Sequence, residues 1–136
     1  MRLDHIGIAV PDLDETDTLM ARLLGRPAYK RETVAGQQVT TSFFSAGPEG
    51  AKLEFVAPEG EDGPIQKFLA KRGSGLHHLA FVVDDIRAEM DRLAADGFEL
   101  LSTEPRRGAD NKLVCFLHPR STGGVLVEIC QSIPVT

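Results

Sequence analysis

Only two cysteines occur in the 136 residues, Cys115 and Cys130, and neither belongs to a paired-cysteine motif. A disulfide framework is therefore not expected. Both sit in apolar, strand-like runs and read as buried thiols of a reducing compartment. A chain this long buries a core without disulfides or a structural metal. Positive charge is also short: 15 Lys and Arg against 20 Asp and Glu leave a net charge of −5. That balance argues against nucleic acid as the main partner, because phosphate binding wants a basic surface. No apolar run approaches the length that spans a bilayer, so no membrane partner is expected. No basic-then-apolar leader opens the chain, since the first strand begins by Leu3, and the expected location is the cytoplasm. No low-complexity tract is present. What remains, 42% hydrophobic and 26% charged residues, is the make-up of one soluble globular domain.

The chain's organising feature is an internal repeat. Leu76 to Ile86 reads LHHLAFVVDDI, and Leu3 to Leu13 reads LDHIGIAVPDL. His5 and His78 occupy the same place in the two copies, and Val10-Pro11-Asp12-Leu13 matches Val83-Asp84-Asp85-Ile86. The match extends further: Phe44 falls opposite Leu117, and Glu54 falls opposite Glu128 with a slip of one residue. The chain is read as two copies of one unit.

Each copy opens with a strand. On Leu3 to Val10, side-chain alternation puts His5, Gly7 and Ala9 on one face and Ile6, Ile8 and Val10 on the other. The second face packs on helices; the first leaves room beside a histidine. Asp12 caps a helix, with Glu15 in capping-box register, a stripe of Leu13, Met20, Leu23 and Leu24, and Gly25 as its stop. Strands are expected over 28–34, 38–45 and 52–57, with Gly47-Pro48-Glu49-Gly50 as the last turn. Pro64 opens a short helix to Arg72, with Ile65, Phe68 and Leu69 toward the core and Gly73-Ser74-Gly75 ending it. The second copy repeats the plan with a strand over 76–83. Asp85 caps a helix striped by Ile86, Met90, Leu93 and Ala94, and Gly97 stops it. Strands follow over 98–103, 113–117 and 125–130. Glu104 to Lys112, EPRRGADNK, reads as a polar, mobile loop. The expectation is a single domain over 1–136, with one module over about 1–58, a linker helix over about 59–75 and a second module over about 76–136.

Glu54 in Lys52-Leu53-Glu54-Phe55-Val56 and Glu128 in Val125-Leu126-Val127-Glu128-Ile129 are lone carboxylates within apolar strands. Burying such a group is costly unless it is paired or ligates a cation. Taken singly, a strand histidine is usually a satisfied core residue and a strand glutamate an edge residue. Both residue types recurring at equivalent places changes that weighing. Two such units packed about a pseudo-twofold axis would gather His5, Glu54, His78 and Glu128. Two imidazoles and two carboxylates suit one divalent ion per chain (Co, Mn, Ni, Zn or Mg), with two positions open on a six-coordinate ion. Alternation turns His77 away from His78, so it reads as a surface or interface residue. His118, before Pro119, reads as a turn residue that bonds locally.

The segments Leu3 to Glu15, Leu53 to Gly60, Pro64 to Ile86 and Phe116 to Gln131 resemble the vicinal oxygen chelate superfamily (glyoxalase, bleomycin resistance and dioxygenase proteins), and within it the methylmalonyl-CoA epimerases. The resemblance implies an α+β fold of two paired β-α-β-β-β modules forming a U-shaped mixed-sheet cleft. It implies a divalent metal held by His5, His78 and Glu128, with Glu54 at a position that is glutamine in some members. It also implies a homodimer and an acyl-CoA substrate whose α-proton is removed through a metal-stabilised enolate and returned on the other face. Glu128 resembles the family's base on one side.

The chain departs from that pattern on the other side. Some epimerases carry a second glutamate on the third strand, where Thr41 stands here. A water held by Thr41 or Gln38, or Glu32 reaching in, is the expected second proton relay; the alternative is that the substrate differs. Coenzyme A phosphates need cations, and Arg106, Arg107 and Lys112, with Lys67, Lys71 and Arg72 on the linker helix, are candidates that otherwise read as solvated surface charges. Two further readings stay open: a glyoxalase-type, lactoylglutathione lyase-like isomerase, and a metal-free protein that sequesters a ligand on the same fold. The intact ligand set weighs against the second of these. It also weighs against an extradiol dioxygenase, which would use two histidines and one glutamate around iron.

Overall fold

In the computed structural model, which describes residues 1–47 and 50–134, the duplicated plan forms two compact units. One spans His5–His77; the other joins Met1–Asp4 to His78–Thr136. The N-terminal unit runs β1 (Arg2–Ala9), α1 (Leu13–Leu24), β2 (Lys30–Val34), β3 (Val39–Ser45), β4 (Lys52–Pro58) and α2 (Pro64–Arg72), with a 3₁₀ turn at Ala35–Gln37. The C-terminal unit runs β5 (Gly75–Val82), α3 (Ile86–Ala95), β6 (Arg106–Gly108), β7 (Lys112–Leu117) and β8 (Val127–Ser132), with a 3₁₀ turn at Pro119–Ser121. Each is a β-α-β-β-β unit, so the α+β expectation of paired modules holds. The N-terminal strands lie in the order β2-β3-β4-β1 and the C-terminal ones in the reciprocal order β5-β8-β7-β6. Within each, the histidine strand is parallel to the glutamate strand and the remaining pairings are antiparallel.

The helix starts repeat as the sequence does. Asp12 Oδ1 accepts from Glu15 N at 3.1 Å, and Asp85 Oδ1 accepts from Ala88 N at 3.1 Å. Each satisfies an N–H that the helix itself leaves without a partner. Gly25 ends α1 in the left-handed region at φ 73°, its N–H bonded to Ala21 O. Apolar side chains then seat the helices. Leu13 of α1 packs with Val10, Phe44, Phe55 and Ala57. Ile86, Met90 and Leu93 of α3 pack with Val83, Cys115, Leu117 and Ile129. Ser42 Oγ also donates to Asp17 Oδ2 at 2.9 Å, tying α1 to β3. α2 covers the opposite face of the N-terminal sheet, where Ile65 joins Ala9, Val39 and Val56.

Two stripe members differ from expectation. Leu23 is 72% exposed and Ala94 is exposed. At 100° per residue, each lies roughly 80° round its helix from the first buried residue, outside the stripe that faces the sheet. Leu93→Ala should therefore lower unfolding free energy by about 2–4 kcal/mol in a urea titration, while Leu23→Ala should change it by under about 0.5 kcal/mol.

The strand expected over 98–103 is not formed. Leu100 makes a single bridge to Leu117, flanked by backbone bonds from Leu101 N to Phe116 O and from His118 N to Glu99 O, each 2.8 Å. Arg120 grips the Glu99 carboxylate through Nε at 2.6 Å and a second nitrogen at 2.8 Å. This bond holds the Glu99 carboxyl below the usual carboxylate range. Further along the same edge, β7 pairs with β6, inside the stretch expected to be a mobile loop. The hairpin closes through Asp110 and Asn111 at φ 60° and 54°. Asp and Asn tolerate that left-handed backbone, which matches the twist of a tight hairpin. Pro48 and Glu49, the middle of the turn expected at Gly47 to Gly50, lie outside the described residues.

Candidate metal centre

Strand register explains how each histidine meets a glutamate. On the N-terminal sheet Gly7 lies opposite Glu54, and His5 is two residues back on the same face of β1. Gly7 carries no side chain, so the carboxylate can lean across the strand toward the imidazole. On the C-terminal sheet Ala80 lies opposite Glu128, and His78 is two residues back on β5. The two units thus build the same diagonal pair with the smallest residues opposite each carboxylate.

The pairs have nearly equal geometry. His5 Nε2 is 3.3 Å from Glu54 Oε1, and His78 Nε2 is 3.2 Å from Glu128 Oε1. All four residues are buried, at 5–6% exposure. An aromatic ring flanks each pair: Phe43, opposite Glu54, meets His5 edge-on at 6.5 Å between centroids, and Phe116, opposite Glu128, meets His78 at 5.9 Å. These edge-on contacts pack each imidazole against an aromatic neighbour. Alternation from the aligned pair Phe44 and Leu117 would have put Phe43 and Phe116 on the glutamate face; the sequence carried that signal.

The donors fit a divalent ion. Two ligand atoms each about 2.1 Å from one cation lie about 3.0 Å apart at right angles and about 3.4 Å apart at the tetrahedral angle. The nitrogen–oxygen separation within each pair falls between those values. His5, Glu54 and His78 each offer a buried ligand atom of a type that holds metal ions. Without an ion, each pair can still share a proton along the same line, which accounts for a buried carboxylate beside each imidazole.

The other expected site residues sort by burial and partner. Thr41 is 1% exposed and shares the face of Glu54, opposite Val56 on β4. Among the described residues no protein group hydrogen-bonds its hydroxyl. Glu32 is Thr41's cross-strand partner and lies 3.3 Å from Lys30 Nζ. Gln38 is exposed, beyond the end of β3, with left-handed backbone at φ 56°. Its side chain lies against Gly63, where an added Cβ would come 3.0 Å from Gln38 Oε1.

Of the phosphate candidates, Lys112 differs from its reading as a solvated charge. It is 6% exposed, and its ammonium lies 3.2 Å from Asp110 and 4.0 Å from Asp4. An amine buried between two carboxylates is a structural cation. Arg106 and Arg107 are exposed on β6; Arg106 pairs with Val114 and so shares the face of Glu128, whereas Arg107 pairs with Leu113 on the other face. Lys67, Lys71 and Arg72 are exposed on α2, and the Arg72 guanidinium lies over the Phe68 ring at 5.9 Å. His77 is half-buried, its ring edge-on to Phe68 at 4.9 Å, so it helps seat α2. His118 Nδ1 accepts from Arg120 N at 3.1 Å, the local bond expected of it. Cys115 and Cys130 are buried thiols. No helix among the described residues is long and apolar enough to cross a membrane.

Comparison with known proteins gives a family. Residues 4–116 match the model of the Glyoxalase/Bleomycin resistance protein/Dioxygenase superfamily. The ethylmalonyl-CoA/methylmalonyl-CoA epimerase of Cereibacter sphaeroides is 39% identical over 132 residues, covering 96% of this chain and 97% of that protein. The crystal structure of methylmalonyl-CoA epimerase from Mycobacterium tuberculosis superimposes with a TM-score of 0.93 at 36% identity, covering 98% of this chain and 89% of that one. A Streptomyces coelicolor methylmalonyl-CoA epimerase variant, solved in complex with 2-nitronate-propionyl-CoA, superimposes with a TM-score of 0.91 at 35% identity, covering 98% of this chain and 99% of that one.

Proposed function

From the premise that this chain belongs to the glyoxalase/bleomycin resistance protein/dioxygenase superfamily, we propose that it is a metal-dependent epimerase, interconverting the (R) and (S) forms of methylmalonyl-CoA. It is an isomerase, and its substrate is an acyl-CoA thioester. The observation that carries this reading is the doubled buried His–Glu pair in a chain that matches epimerases over nearly its whole length. The two units act as one domain, and His5, Glu54, His78 and Glu128 together hold one divalent ion per chain. The protein works as a cytoplasmic homodimer; its buried thiols suit a reducing compartment.

A divalent ion held there supplies Lewis-acid stabilisation of the negative charge that develops on the thioester oxygen. The remaining work falls to the chain. His5 and His78 bind through Nε2, and the edge-on rings of Phe43 and Phe116 keep those nitrogens aimed. The Glu128 carboxylate accepts the α-proton on one face of the substrate and returns it to the same face. Inversion needs a second proton path on the opposite face. The α-carbon exchanges protons with groups held by the protein, and those groups exchange in turn with solvent. Arg106, exposed on the Glu128 face, is the candidate partner for coenzyme A phosphate.

Deuterium wash-in tests the assignment. In D₂O the metal-loaded protein should place deuterium at the α-carbon of methylmalonyl-CoA and convert either enantiomer to the mixture. The competing glyoxalase-type reading predicts turnover of a glutathione hemithioacetal instead. Turnover of that compound with no α-exchange in methylmalonyl-CoA would replace the epimerase reading. The distinction is sharp because both reactions use the same proton chemistry on different substrates.

A further inference from the structure

The two units supply an internal control, because the same register holds in both. On β3, Phe43 pairs with Glu54 and Thr41 with Val56; on β7, Phe116 pairs with Glu128 and Val114 with Cys130. Thr41 and Val114 are therefore equivalent positions, each two residues from the ring beside a glutamate and on the glutamate's face. Both are buried, at 1% and 3% exposure. Their side chains have nearly one shape and differ by a hydroxyl in place of a methyl. The surroundings of Thr41 are apolar: Val39 on its own strand and Val56 opposite both belong to the cluster beneath α2. No protein group among the described residues meets its hydroxyl. A buried hydroxyl without a partner destabilises a fold, and the sister unit accepts valine at the same place. A destabilising hydroxyl on the face of His5 and Glu54 calls for a small guest oxygen.

We infer that Thr41 is a positioning residue whose hydroxyl holds a proton-carrying water for the substrate face that Glu128 does not serve. The inference rests on the epimerase reading and supplies its missing half. Glu32 is the carboxylate that register puts next to Thr41, on the same face of the neighbouring strand. It is half-buried, so it connects that face to solvent. Gln38 lies off the strand end against Gly63 and does not share this placement. The proton balance closes. As the α-carbon gives its proton to the water oxygen, the water gives one of its own to the Glu32 carboxylate. The return path reverses both transfers, and Thr41 keeps its proton throughout.

The test uses Thr41→Val, Thr41→Ser and Glu32→Gln in the metal-loaded protein, with deuterium wash-in started separately from each methylmalonyl-CoA enantiomer. Thr41→Val should raise Tm by about 3–5 °C, since a methyl replaces a hydroxyl without a protein partner. It should slow wash-in from one enantiomer by about 10–100-fold and leave the other within about twofold. KM should stay within about threefold for both. Thr41→Ser should restore exchange, and Glu32→Gln should reproduce the one-sided loss. Wash-in that stays equal from the two enantiomers in Thr41→Val, whether unchanged or equally reduced, overturns the inference. So does a one-sided loss in Glu32→Gln that Thr41→Val does not share. If the unmodified protein exchanges neither enantiomer, the epimerase reading itself has failed, and the role of Thr41 goes with it.

Discussion

Glu128→Gln should slow deuterium wash-in from the methylmalonyl-CoA enantiomer whose α-proton faces Glu128 by about 10²–10⁴-fold, the range expected when a positioned base is lost. Glutamine keeps the volume and one oxygen of the carboxylate, so the side chain can still lie across β5 beside His78. An amide cannot accept the α-proton, however. The fold should survive, because the side chain is buried at 6% exposure and its replacement removes a charge rather than adding one.

The sister unit again provides the control. Glu54 has the same burial, the same diagonal histidine and a matching phenylalanine. If Glu54 serves only as a ligand, Glu54→Gln should retain exchange to within about tenfold, since the amide oxygen can still coordinate. The proton role of Glu128 thus predicts a large asymmetry between two chemically identical substitutions at structurally equivalent sites. Matching losses in the two variants would remove Glu128 as base and leave both residues as ligands alone. Circular dichroism and Tm on each variant separate either result from misfolding.

The sites that were legible in the sequence are those that duplication made redundant. His5 and His78 begin equivalent strands, and period-2 alternation was enough to put each on the face of a glutamate. The paired helix caps at Asp12 and Asp85 were legible for the same reason: one side-chain oxygen three residues before an N–H is a local device. Residues 98–103 alternate like a strand, but only 99–101 meet β7, beside Phe116 to His118, and β6 takes the same edge further along, at Lys112 to Val114. How far such a pairing runs is set by tertiary contacts that no window of sequence contains. The burial of Lys112 is not legible in the sequence, because it depends on Asp110 across a left-handed turn and on Asp4, more than a hundred positions away. The polar run EPRRGADNK has the composition of a loop and the geometry of a hairpin.

Metal removal gives the second large effect. A chelator should abolish α-exchange, and adding back a divalent ion should restore it, because the charge developing on the thioester oxygen would lose its Lewis-acid stabilisation. An ion present at about a hundred times its dissociation constant stabilises the native state by roughly 2.7 kcal/mol, so chelation should lower Tm by about 10 °C. The chain should remain folded without it. Each His–Glu pair can hold a proton in place of the ion, and the three apolar clusters do not involve the ligands. The number of ions is the sharper measurement. If all four residues serve a single ion, His5→Ala and His78→Ala should each remove it completely, and metal analysis should fall from about one ion per chain to near none in both variants. If each pair held an ion of its own, either variant would keep half of the metal. Retention of half the metal, or of full exchange after loss of either histidine, would dissolve the shared centre and with it the reason for doubling the pair.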